Sequence, residues 1–324
     1  MTPDDRGLDG AEPDDAGGFV EDVYARDGTR LRRWDNGAAG VPVVVSNGLG
    51  ASPTAWTFLH GPDCGYHATS WHHRGLGGSD RPADETRIRV DDHVDDLFTV
   101  MDAAGMDAAL VVGWSLGVPI AIEAARRAPE RVAGLMVMGG AATGTFRVLP
   151  QLPPPFPPVG PGVPEGVQRR AAQLSGWLLR VVGPPVAGII DLLPRSLDAS
   201  REALDRAGVD PAQLDPTGTA APLVTLAEVA RQFARHDWTW FSRLVLAGAE
   251  HERADDAALA GITVPVTVVS GNLDTLAPPA DMAALAEALP DARLVRLPGS
   301  HFLPLQFPDA LAGELEALAR RAHL

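Results

Sequence analysis

A chain of 324 residues, 45% apolar and 21% charged with 34 glycines and 29 prolines, is long enough to bury a sizeable core as one α/β domain with an insertion or as two smaller domains. All 27 of its basic residues are arginine, which excludes mechanisms that need an amine: Walker-type phosphate loops, Schiff-base chemistry and serine-lysine dyads. A formal charge of -15 argues against nucleic acid and against stable association with an anionic membrane surface.

Residues 1–18 are acidic, hold Gly and Pro, and lack both a basic start and an apolar run, so they read as a disordered, solvating tail and not as a secretory signal. The first 22 residues contain eight acids and one arginine, so they carry -7 of the -15. Acidity is therefore largely a property of the tail and says little about the substrate.

Residues 19–24 and 31–34 flank the turn signal Asp27-Gly28, which predicts a hairpin. An apolar run at 41–46 follows and feeds Asn47-Gly48-Leu49-Gly50. Further short apolar runs at 109–112, 135–138, 264–270 and 294–297 read as central strands. Helical patterns at 90–104, 118–128, 281–288 and 307–323 lie between and after them. Strands alternating with helices imply an α/β fold, a mostly parallel sheet with helices on both faces, built from 19–145 and 255–324.

The alternation breaks over 146–254. A proline-rich stretch (Pro150, Pro153, Pro154, Pro155, Pro157, Pro158, Pro161, Pro164) leads into helical patterns at 167–179 and 223–246. A structureless loop of that length does not suit a compact domain, so the segment is expected to be a helical cap or lid with the prolines as a stiff entry linker. The apolar stretch 178–193 contains Arg180, Pro184, Pro185 and Asp191, which argues against a transmembrane helix.

The lone Cys64 offers neither an intramolecular disulfide nor a structural zinc site, and the expected compartment is the reducing cytoplasm. Cys64, His67, His72, His73 and Asp63 match no zinc spacing, so no metal is expected. No G-x-G-x-x-G opens a helix, so no dinucleotide is expected either, and no other cofactor is implied.

Gly113-Trp114-Ser115-Leu116-Gly117 is a G-x-S-x-G placed directly after an apolar strand and directly before a helix carrying Pro119 in its first turn. The pentapeptide alone would occur by chance in roughly one chain of this composition in eight. Its position between strand and helix gives it meaning, because a sharp elbow there projects Ser115 from the sheet edge and needs small neighbours. A serine hydroxyl needs a base and an orienting acid to act as a nucleophile. The run 264–270 ends in Gly271-Asn272-Leu273-Asp274, and 294–297 ends in Pro298-Gly299-Ser300-His301, which puts Asp274 and His301 at the same sheet edge as Ser115. The chain order Ser, Asp, His suits this arrangement. Asp281 and His251 are the weaker alternatives, the first as a helix cap and the second within an acidic stretch. With no lysine in the chain, histidine is the base that remains for Ser115.

These residues together resemble the α/β-hydrolase superfamily in its capped serine esterase and lipase-like branch, over residues 19–324. Asn47-Gly48-Leu49-Gly50 is similar to the family's HG-x-G loop, with Asn in place of His, and Arg74-Gly75-Leu76-Gly77-Gly78-Ser79 to its RG-x-G-x-S loop, with His72 where the family more often has Asp. The resemblance implies an α/β-hydrolase fold with a cap inserted after the sixth strand, and an oxyanion hole made by the backbone N–H groups of Leu49 and Leu116. A serine in the nucleophile position speaks against the branches whose nucleophile is aspartate. The expected activity is hydrolysis of a small-molecule carboxylic ester through an acyl-enzyme, with Ser115 as nucleophile, His301 as base and Asp274 as its orienting acid. The triad by itself leaves C–C bond hydrolysis or perhydrolysis open, and a ligand-binding protein on the same scaffold is a third reading. Trp114, Trp56, Trp238 and Trp240 are candidate pocket side chains. The oligomeric state is not fixed by the sequence.

Overall fold

The computed structural model describes residues 12–14, 18–140, 237–249, 251 and 256–324. The expected cap is described only at 237–249 and 251; the rest of it, including the proline-rich entry, lies outside the described residues.

One nine-stranded sheet organises the described residues. Its strands are β1 (Glu12–Asp14), β2 (Gly18–Tyr24), β3 (Arg30–Asp35), β4 (Val41–Ser46), β5 (Tyr66–Trp71), β6 (Ala109–Trp114), β7 (Val132–Met138), β8 (Val266–Gly271) and β9 (Ala292–Leu297). They lie in the order β1-β2-β3-β5-β4-β6-β7-β8-β9. Antiparallel pairing joins β1, β2, β3 and β5, and parallel pairing runs from β5 through β4 to β9. The short strand β1 falls within the segment expected to be a disordered tail. Counting β1, the strand before the expected insertion, sixth by the resemblance, is β7 in chain order.

The near-continuous apolar runs of β4, β6, β7 and β8 follow from burial on both faces, the usual condition of a parallel sheet under helices. Alternate side chains serve opposite layers. Val44, Val111, Leu135 and Val137 face one core with α1 (Val90–Ala103), α2 (Gly117–Arg127) and α5 (Pro279–Ala288). Val43, Val45, Leu110, Val112, Met136 and Met138 face the other, covered by Leu311, Leu315 and Leu318 of α7 (Pro308–Arg321) and by the loop holding Trp56 and Leu59. Two short helices, α3 (Trp238–Ala249) and α4 (Asp256–Ala260), precede β8, and α6 (Leu303–Gln306) precedes α7. Among the described residues no helix is long and apolar enough to cross a membrane.

The sheet order has a functional consequence. Successive strands β4 and β5 lie side by side, and the chain then returns to the other flank of β4 with β6. At such a reversal the loops leaving the two strands diverge and open a crevice at their carboxyl ends. The loops that leave there are Asn47-Gly48-Leu49-Gly50 and the elbow at Ser115, brought side by side by the pairing of Ser46 with Gly113.

Beside β5 two histidines are buried together. His73 and His93 are fully buried, with ring centroids 5.0 Å apart, and Trp71 packs edge-on to His73. Burial holds the His73 imidazole well below its ordinary pKa, and neighbouring His93 and His72 push it the same way. His73 is therefore neutral in the folded protein and takes up a proton on unfolding once the pH falls below about 6.5. The stability it secures is fully present above that pH and declines as the pH drops, by up to about 1.4 kcal/mol per pH unit for one proton. Denaturant unfolding of wild type at pH 7.5, 6.0 and 5.0 is expected to show this loss, and His73→Phe a flatter dependence. Equal slopes for the two proteins would reject the assignment.

Candidate active site

Strand β6 ends at Trp114 and helix α2 starts at Gly117, leaving two residues for a sharp reversal. Ser115 takes the strain, with φ at +55°. Its N–H donates to the Met138 carbonyl at 3.0 Å, and its own carbonyl accepts from Val118 at 3.0 Å, so the elbow is pinned to the end of β7 and to the first turn of α2. Gly117 has no room for a side chain, since a Cβ there would sit 1.8 Å from the Ser46 carbonyl oxygen. The motif's second glycine is therefore a packing requirement of β4 against α2. The amino end of α2 lies beside Ser115 and favours negative charge there.

Asp274 and His301 come together as expected from their places after β8 and β9. Asp274 Oδ2 lies 3.0 Å from His301 Nδ1. Its Oδ1 accepts the N–H groups of Leu276 and Ala277, both at 2.8 Å, so the buried carboxylate is fixed by its own turn before it meets the imidazole. A carboxylate at Nδ1 makes that nitrogen the donor and leaves Nε2 as the basic one. His301 is bound to the elbow through Trp114, whose Nε1–H donates to the His301 carbonyl at 2.9 Å, with the rings 6.1 Å apart. Across the elbow, a side chain at Gly48 would begin 3.4 Å from Ser115 Cβ, which places the Asn47–Gly50 turn against Ser115. Leu116 is buried and Leu49 half-buried, and neither N–H finds an acceptor among the described residues.

A family model described as the alpha/beta hydrolase fold matches residues 41–308. The chain belongs to the α/β-hydrolase fold family. RutD of Azorhizobium caulinodans, named for carbamate hydrolysis, is 27% identical over 294 residues, covering 88% of this chain and 94% of that protein. Rhodomycin D methylesterase DauP of a Streptomyces species is 28% identical over 319 residues, covering 89% and 95%. Among solved structures, a thermophilic esterase from Thermogutta terrifontis superposes with a TM-score of 0.67 at 20% identity, covering 94% of this chain and 99% of its own, a likeness of fold. The chain is thus a hydrolase of the α/β-hydrolase family, and the different names of its relatives show that membership alone does not choose the bond cleaved.

Within this hydrolase the four candidate tryptophans have different places. Trp56 is buried, donates from Nε1 to Asn47 Oδ1 at 2.6 Å and stands edge-on to Trp114 at 6.2 Å. Asn47 Nδ2 in turn donates to Ser70 Oγ at 2.7 Å. The asparagine that departs from the family pattern thus locks the loop carrying Leu49, a role the sequence did not reveal. Trp240 is also buried, but its Nε1–H donates to the Arg74 carbonyl at 2.8 Å and the guanidinium groups of Arg81 and Arg243 stand over its ring, at 4.8 and 4.9 Å. It docks α3 onto the loop after β5, with Leu76 and Ile88 completing the contact and Leu49 packing at its edge. Trp238 opens α3, and its side chain lies outside those described.

Gln306 is a further residue that sequence reading passes over. Its Oε1 accepts the Ser300 N–H at 2.9 Å, so α6 folds back to brace the loop that carries His301. Among the described residues no group of three or more His, Cys, Asp or Glu could hold a metal ion. Cys64 donates to the Tyr66 carbonyl at 3.2 Å. His251, the alternative base, is half-buried after α3, and Asp281 lies in the first turn of α5.

Proposed function

We propose that this α/β-hydrolase cleaves a carboxylic ester of a small molecule through an acyl-enzyme. Ser115 Oγ attacks the acyl carbonyl while His301 Nε2 takes the hydroxyl proton, and Asp274 stabilises the imidazolium that forms. The N–H groups of Leu49 and Leu116 hold the oxyanion of the tetrahedral intermediate, whose collapse breaks the bond to the alkoxy oxygen; that oxygen leaves with the proton carried by His301. Water then attacks the acyl-enzyme by the same sequence, and Ser115 regains its proton.

The observation that carries this reading is the Asp274–His301 pair, fixed from both sides by the Asp274 turn and by Trp114, at the sheet edge where Ser115 sits in a strained elbow. The methylesterase name of a relative aligned over 89% of this chain supports an ester as the substrate.

Mixing the enzyme with a p-nitrophenyl ester is expected to release a burst of p-nitrophenol equivalent to the active enzyme before the steady state, wherever deacylation is the slower step. A fluorophosphonate is expected to label Ser115 alone and to abolish the burst. Hydrolysis that persists in fully labelled enzyme, or a label found on another residue, would reject the mechanism.

A further inference from the structure

Among the described residues, four large apolar side chains are exposed: Tyr24, Leu273, Phe302 and Leu324. Leu324 ends the chain and Tyr24 ends β2. The other two sit next to the proposed acid and base, Leu273 just before Asp274 and Phe302 just after His301. Single exposed apolar residues are ordinary on a protein surface. Two that flank one pair of reacting groups, on loops joined to each other, are a different matter. Leu273 N–H donates to the Gly299 carbonyl at 2.8 Å and Asn272 N–H to the Leu297 carbonyl at 2.8 Å, so the two loops form one continuous rim.

Phe302 is held in place although a third of it faces solvent. Its ring stands perpendicular to the His301 imidazole at 5.8 Å and edge-on to Trp114 at 6.3 Å. Leu273 is more exposed, at 70%. The chemistry fixes which half of a substrate meets this rim. His301 must deliver its proton to the departing alkoxy oxygen, so the alcohol half of an ester lies on the imidazole side of the carbonyl and the acyl half on the other. We infer that Leu273 and Phe302 form an apolar lip for the alcohol half, and that the enzyme selects esters of extended alkyl or aryl alcohols over methyl esters. This rests on the ester hydrolase reading, which it deepens by naming the leaving group. An apolar group seated there gives up its contact with water, as do the two side chains.

Benzyl acetate and methyl acetate share one acyl group and differ only in the alcohol, so they isolate the lip. Wild type is expected to favour benzyl acetate in kcat/KM. Phe302→Ala is expected to lose about tenfold on benzyl acetate and Leu273→Ala about threefold, each with less than a twofold change on methyl acetate. Because Phe302 adjoins His301, Leu273→Ala at the more exposed position and Phe302→Leu, which keeps an apolar side chain and is expected to retain most of the preference, separate the lip from disturbance of the base. Equilibrium binding to Ser115→Ala, read by calorimetry, reports the lip without turnover. Tighter binding of benzyl acetate that Phe302→Ala removes would support it even in a protein that failed to hydrolyse either ester, an outcome that would count against the ester hydrolase reading alone. Equal binding of the two esters to Ser115→Ala, or an equal loss on both esters in Phe302→Ala and Leu273→Ala, overturns the lip.

Discussion

Ser115→Ala is expected to lower kcat for ester hydrolysis by about 10⁴- to 10⁶-fold, the scale on which serine triads depend on their nucleophile. The loss falls on kcat, with little change in KM, because the hydroxyl forms its bond to substrate only on the way to the transition state. What remains is expected to reflect binding and the two proposed backbone donors at Leu49 and Leu116, which would still stabilise an oxyanion formed by direct attack of water. The fold should be retained. The strained φ of +55° at position 115 is set by the elbow and is shared by serine and alanine, and the bonds that pin the elbow, to Met138 and from Val118, use only the backbone of residue 115. Steady-state kinetics on a p-nitrophenyl ester, together with the thermal unfolding midpoint, checks both points. A variant that unfolds like wild type and turns over within tenfold of it would remove Ser115 from the mechanism.

The strands at 41–46, 109–112, 135–138 and 264–270 are legible in the sequence because both of their faces are covered, so the apolar run is unbroken. β5 is not legible in that way. Its Thr69 and Ser70 are buried as hydrogen-bonding groups, with Thr69 Oγ1 donating to the Trp34 carbonyl and Ser70 Oγ to the Val45 carbonyl. A strand whose core positions hold such residues shows no apolar periodicity. β1 is hidden for a simpler reason, since Glu12-Pro13-Asp14 has the composition of a solvated tail and its strand form depends on the neighbouring edge of β2.

Local signals expose the candidate site well: Ser115, Asp274 and His301 each follow an apolar strand by one to four residues, and the sheet places all three at one edge. The groups that hold them are another matter. Trp114 to His301, Trp56 to Asn47 and Gln306 to Ser300 are side-chain bonds with no spacing rule behind them. Trp240 illustrates the limit, because an aromatic side chain in the expected cap suits a pocket as well as an anchor. Only the acceptor at Arg74 and the guanidinium groups over its ring show it docking α3.

Arg74→Met is expected to cost about 3–5 kcal/mol of folding stability, a large part of the 5–15 kcal/mol typical of a whole domain. The Arg74 guanidinium is buried and grips the carboxylate of Asp96 on α1 with both arms, Nε at 2.8 Å and Nη2 at 2.7 Å, while Nη1 reaches Asp27 at 2.5 Å and the Arg87 carbonyl at 3.0 Å. Asp96 is wholly buried. Removing the arginine leaves that carboxylate without its countercharge, and the nearby His93 Nδ1, 3.6 Å from it, makes no hydrogen bond to it. The cost arises from the orphaned partner and not from the pair itself, so a double variant should be milder than the single one. Arg74→Met with Asp96→Leu is expected to recover at least half of the loss, since a buried ion pair replaced by apolar groups of similar volume is often close to neutral. Denaturant unfolding of wild type, both single variants and the double variant closes this cycle. A loss below 1 kcal/mol in Arg74→Met, or a double variant no more stable than the worse single one, would show that the pair does not join α1 to the loop after β5. Its position gives the pair a reach beyond stability. The same residue presents its carbonyl to Trp240, so the ion pair and the indole that docks α3 both hold one backbone segment.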